Sequence, residues 1–182
     1  FKALRWLADA YTTIVRGIPE LLIILILYFG GTVALTALFG RYVEVDAFAA
    51  GVFALTIVFG AYATEVFRAA ILAVPTSQIE AAHALGLSRG LTFRLVILPQ
   101  MWRYALPGLG NLWLTLLKDT ALISVVGLED LMRKASVAAG STHDPLTFYS
   151  IAAALYITFT SVSLIGLALL EQRASRGVRI SE

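Results

Sequence analysis

Leu21 to Gly40 is a run of 20 residues without a charge. Wound as an α-helix it is about 30 Å long, the thickness of a bilayer's hydrocarbon core. Inside hydrocarbon no water satisfies a backbone amide, so such a run confines the chain to helices that bond to themselves. Ala47 to Thr64 is a second run, 18 uncharged residues between Asp46 and Glu65, with Gly51 and Gly60 where helices can approach closely. Pro145 to Leu170 is longer, 26 uncharged residues between Asp144 and Glu171, and it either begins before the membrane surface or tilts. Tyr104 to Leu117 has only 14, about 21 Å and too short to cross alone. Continuing it through Lys118 and Asp119 to Leu128 makes 25 residues, so the third span has to contain a charged pair. The expectation is an all-α, polytopic helical membrane protein with four spans and both ends on one side. Charged residues are 14% of the chain and hydrophobic ones 59%, against roughly a quarter charged in soluble domains. An ordinary soluble domain is excluded.

Basic residues orient the spans. Lys2, Arg5 and Arg16 precede the first; Arg68, Arg89, Arg94 and Arg103 lie between the second and third; Arg173, Arg176 and Arg179 follow the fourth. Only Arg41, Arg133 and Lys134 fall on the other side. Basic loops stay in the cytoplasm, so the termini and the middle loop are assigned there and the stretch from Glu129 to Asp144 to the periplasm. Within residues 1–18, Leu4, Leu7, Tyr11, Ile14 and Ile18 share one helical stripe, the pattern of an interfacial helix lying flat on the cytoplasmic surface. The chain opens at Phe1 with no initiator Met and no signal-peptide pattern, and it reads as part of something longer.

Several chemistries are set aside. A net charge of +2 is too small a surplus to point to nucleic acid. Zero cysteines exclude disulfides, thiolate metal sites and cysteine nucleophiles. No Gly-rich phosphate loop, zinc motif or internal repeat occurs, so the chain is not read as an enzyme. His83 and His143 are 60 positions apart on opposite predicted faces and are read as solvated loop residues.

Between the second and third spans the helix punctuation is explicit. Ser77 and Glu80 have the spacing of a capping box, in which Ser77 accepts from the N–H of residue 80 and Glu80 reaches back to the N–H of Ser77. That predicts a short helix after Pro75, stopped by Gly86 in the left-handed conformation, with Ser88 capping a second short helix through Arg94. Ala81, Ala82 and Ala84 are small, which suits a helix another protein packs against.

Glu80-Ala81-Ala82, Gly86 and Leu98-Pro99 stand at the spacing of the EAA loop of binding-protein-dependent ABC importers, with Val96 in place of isoleucine. Arg16-Gly17-Ile18-Pro19, Glu65-Val66-Phe67-Arg68, Arg103-Tyr104-Ala105-Leu106-Pro107-Gly108, Gly110-Asn111 and Leu117-Lys118-Asp119-Thr120 extend the likeness over nearly the whole chain. The chain resembles the permease subunits of polar amino-acid ABC importers, in the histidine, basic amino-acid and opine branch. The resemblance implies the type I importer transmembrane domain, with four spans present of an expected five. It implies that residues 75–99 are the coupling loop, with Ser77, Glu80, Ala81, Ala82 and Gly86 docking on a cytoplasmic ATPase dimer that binds ATP and Mg, and that this chain itself holds no cofactor. It further implies a periplasmic substrate-binding protein, a second homologous permease or a copy of this one, an amino-acid substrate, and a bacterial inner membrane.

The charged pair has its own reading. Lys118 and Asp119 lie about 22 Å along a helix from Arg103, past the bilayer midplane, where each costs about 2.5–3.5 kcal/mol if left in lipid. Asn111, Thr115 and Asp119 recur every fourth residue and so share a face, which the resemblance makes the ligand face. Asp119 suits a cationic group, and Asn111 and Thr115 suit hydrogen bonds to substrate. The competing role for Asp119 is a helix-packing ion pair. Glu65 and Arg68, three residues apart, suit a local pair closing the second span. The alternative function is a proton-coupled secondary carrier, motivated by Asp119, Lys118 and Glu65 in or near the membrane.

Overall fold

The computed structural model describes residues 2–174; the expectations resting on Arg176 and Arg179, and on a cytoplasmic C-terminal tail, lie outside them. The described residues form seven helical segments and no strand: α1 (Lys2–Gly17), α2 (Glu20–Phe39), α3 (Ala47–Leu72), α4 (Thr76–Ala84), α5 (Arg89–Val126), α6 (Leu131–Thr142) and α7 (Pro145–Ala174). Four of these, α2, α3, α5 and α7, are long and apolar enough to cross a membrane.

Differences from the predicted spans have local causes. The second span does not stop at Thr64 but runs on to Leu72. Its two charges close on each other one turn apart, Arg68 Nε donating to Glu65 Oε2 at 3.0 Å, so the helix carries them without leaving either bare. The Glu129–Asp144 stretch holds a helix that charge and small residues concealed. Asp130 caps α6 by accepting from the Arg133 N–H at 2.8 Å, and His143 ends it with φ +55°. Ser88 caps its helix as expected, accepting from the Leu91 N–H at 3.5 Å, but that helix does not end at Arg94. It continues through a π turn at Phe93–Ile97 into Leu98–Asp119. Pro99 cannot donate an N–H, and the wider turn immediately before it lets the chain pass the proline and stay helical.

The described residues divide into two compact units, 2–62 with 114–161, and 63–113 with 162–174. In the first, Ile23, Ile24, Ala54, Leu55, Val58, Ile123 and Val126 form the core. Gly51 makes that packing possible, since a Cβ on it would stand 2.5 Å from Ile123 Cδ1. The Tyr11 hydroxyl donates to the Ile57 carbonyl at 2.6 Å and the Arg16 guanidinium lies 5.4 Å from the centre of the Tyr62 ring, so α1 is fastened to α3. In the second unit Ala70, Met101 and Ala105 form the core. Here Gly110 gives way to Leu167, Trp113 Nε1 donates to Ser163 Oγ at 3.2 Å, and Phe67 meets Trp102 edge to face at 5.7 Å. Lipid tails are as apolar as leucine, so such contacts stabilise through fit and dispersion rather than through removal from water.

Candidate functional site

The loop between α3 and α5 is built by its punctuation. Gly86 has φ +77°. Its N–H donates to the His83 carbonyl at 2.9 Å, and the Leu87 N–H donates to the Ala82 carbonyl at 3.1 Å. That pair of bonds is the Schellman closure of a helix end, which requires a left-handed residue at this place. The capping box does not form. Pro75 is itself the residue before the helix, at φ −60° and ψ 132°, and no side chain caps the start. Its ring presets the turn, the Gln78 N–H donates to its carbonyl at 3.0 Å, and the helix begins at Thr76, two residues earlier than a helix capped by Ser77 would. Ala82 is 4% exposed, turned into its own chain and off the surface of α4. The surface of α4 is made instead by the exposed Glu80, Ala81 and Ala84. Beside them stands Leu85, 82% exposed, an apolar residue outside every span that sequence reading passed over.

The second candidate is in the third span. The α-helical part of α5, Leu98–Asp119, is unbroken despite Pro107, so Asn111, Thr115 and Asp119 keep their four-residue register. Asn111 belongs to the second unit and Thr115 and Asp119 to the first, where Asp119 is the last residue before the helix tightens to 3₁₀ at Thr120–Val126. Asp119 is half-buried, Thr115 and Lys118 exposed. Among the described residues no ion pair or hydrogen bond closes on Asp119 or Lys118. Glu20, the half-buried first residue of α2, lies within electrostatic reach of Asp119. It was missed because it stood just outside the uncharged run and only the fold brings it there. Beside this stripe opens a cavity of about 270 Å³, lined by Val52, Leu55, Thr56, Phe59, Leu116 and Thr120.

Residues 1–176 match the family model described as the binding-protein-dependent transport system inner membrane component. The chain belongs to this family. It is 52% identical over 185 residues to a nopaline transport system permease protein of Agrobacterium fabrum, covering 98% of this chain and 78% of that protein. It is 46% identical over 166 residues to an arginine ABC transporter permease protein of Haemophilus influenzae, covering 91% and 75%. A crystal structure of an amino acid ABC transporter with histidines superposes with a TM-score of 0.84 at 38% identity, over 95% of this chain and 78% of that one. The chain is therefore a multi-pass inner-membrane permease component with the type I importer transmembrane fold, and the proton-coupled alternative finds no support among these relatives.

Proposed function

We propose that this permease carries basic amino acids or opines, with Asp119 meeting the cationic part of the substrate. The observation that carries the reading is a half-buried carboxylate inside a membrane span on which no ion pair or hydrogen bond closes among the described residues. A charge so placed costs several kcal/mol unless something compensates it, and a passing ammonium or guanidinium does so transiently. Glu20 nearby adds a second carboxyl group, which suits substrates with two cationic groups, and Thr115 offers a hydrogen bond one turn away on the same helix. Relatives named for nopaline and arginine point to the same substrate class.

The energy comes from a separate pair of cytoplasmic ATPase subunits, which bind ATP and Mg and dock on α4 through Glu80, Ala81, Ala84 and Leu85, held in place by Gly86. A periplasmic binding protein delivers the substrate, and a second homologous permease or a copy of this chain completes the pathway. The loop around Glu80 faces the cytoplasm and α6 the periplasm, so a cysteine at Ser141 reacts with an impermeant thiol reagent in spheroplasts and one at Gln78 does not; the reverse pattern overturns the orientation. For the substrate, Asp119→Asn is assayed in vesicles that carry both arginine and glutamine. Arginine uptake should fall by roughly 5- to 150-fold, the equivalent of about 1–3 kcal/mol, with glutamine spared. Equal loss of both removes Asp119 from the substrate site.

A further inference from the structure

Arg103 is the last charge before the uncharged run 104–117, and Glu171 is the first charge after the uncharged run 145–170. Both lie in the second unit, and both line one cavity of about 380 Å³ with Leu106, Pro107, Ala168 and Gln172. That volume is within the range of small-molecule sites. Leu106 and Pro107 lie about one turn from Arg103 toward the apolar run of α5, and Ala168 lies one turn from Glu171 toward the apolar run of α7. The cavity thus has charges where two spans leave hydrocarbon and an apolar floor one turn deeper. A guanidinium and a carboxylate share this volume, yet among the described residues no ion pair joins them.

This charge pattern discriminates among ligands. An anion alone is attracted by Arg103 and repelled by Glu171, and a cation alone meets the opposite problem. A molecule with a phosphate and a primary ammonium a few bonds apart satisfies both, and the position at the end of two spans favours one carrying an apolar tail. We propose that this cavity binds the phosphoethanolamine headgroup of a membrane lipid. The phosphate sits on Arg103, in the forked geometry a guanidinium offers, the ammonium donates to Glu171, and the acyl chains leave past Leu106, Pro107 and Ala168. A free amino acid offers similar charges without the tail, so the test has to separate the two.

The experiment is native mass spectrometry of the complete transporter, delipidated in detergent and titrated with phosphatidylethanolamine, phosphatidylcholine and phosphatidylglycerol of matched chains, and separately with free arginine. Phosphatidylethanolamine should be retained roughly tenfold over the other two, the size of one charge-assisted hydrogen bond. The choline head has no N–H to donate and the glycerol head no cation. Glu171→Gln should erase the preference, Arg103→Gln should weaken retention of all three lipids, which share the phosphate, and Arg103→Lys should keep most of that retention. If a glutamine variant does not assemble, the double exchange Arg103→Glu with Glu171→Arg decides: it keeps both charges on the cavity and should retain the preference. The proposal is overturned if the wild type does not prefer phosphatidylethanolamine, if the preference survives Glu171→Gln, if Arg103→Gln leaves the retention of all three lipids unchanged, if the double exchange assembles without the preference, or if free arginine displaces the bound lipid.

Discussion

The second and fourth spans are alike by every measure a sequence offers. They have 26 and 30 residues and mean hydropathies of 1.8 and 2.0, yet 39% of the second span's apolar window is buried and none of the fourth's. Hydropathy reports that a helix crosses; it does not report what the helix touches. Small residues do not separate the two either. In α3 the buried stripe is Ala50, Ala54, Val58 and Ala61, spaced by four, four and three. In α7 Ser150, Ala154, Thr158 and Ser161 repeat the same spacing and are all exposed. The Thr158 and Ser161 hydroxyls donate to the Ala154 and Ile157 carbonyls of their own helix and ask for no outside partner. Two stripes suited to close helix packing therefore have different fates: one is filled from within the chain, and the other is left for lipid or for a second permease.

The largest effect expected from this contrast is at Gly51. Any side chain there meets Ile123, whose Cδ1, Cγ2 and Cγ1 would lie 2.5, 2.8 and 2.9 Å from the new Cβ, and Ile123 is itself buried in the core. Gly51→Val should cost about 3 kcal/mol, the upper end of overpacking in a filled core. Thermal unfolding of the purified subunit in detergent should show it as a marked loss of stability. A variant as stable as the wild type would mean that α3 is not the packing span.

How much of this could be read beforehand follows the range of the interactions. The starts of the second and fourth spans, at Ala47 and Pro145, and the Gly86 stop are local, set by a charge or by one residue's conformational freedom, and they were legible. The Ser77 capping box is local too, but two signals competed, and the ring of Pro75 fixed the helix start before the serine could. The register of Asn111, Thr115 and Asp119 was legible because a helix preserves spacing. That no ion pair closes on Asp119 among the described residues, and that Glu20 stands near it, depends on the fold, Glu20 being about a hundred positions away in sequence. No periodicity contains that information. Ala82 shows the same limit on a short helix: Ala81, Ala82 and Ala84 are alike in size, and that likeness cannot say which of them faces inward.

A middle-sized effect tests the empty stripe. Ala154→Leu adds bulk on a face that no described residue covers, so the subunit's own unfolding temperature should hardly move. If a second permease packs on this stripe, the same variant should weaken pairing by roughly tenfold, about 1.4 kcal/mol, read as loss of the paired species in cross-linking or native mass spectrometry. Unchanged pairing would assign the stripe to lipid.

The smallest effect is at Gly166, the fourth span's counterpart to Gly51. A Cβ added there has nothing within 4 Å, so no side chain must move and the overpacking cost is absent. What remains is backbone: alanine restricts the unfolded chain more than glycine does and favours the helix by up to about 1 kcal/mol. Much of that preference is already met in a bilayer, where a spanning segment stays helical even when its tertiary contacts are lost. Gly166→Ala should therefore change stability by less than about 0.5 kcal/mol, the range of substitutions that touch no packed feature. Uptake should match the wild type. The informative failure is a variant that unfolds normally alone but pairs or transports poorly. It would place a partner's backbone against Gly166 and extend the covered face of α7 from Ser150 to the far end of the helix.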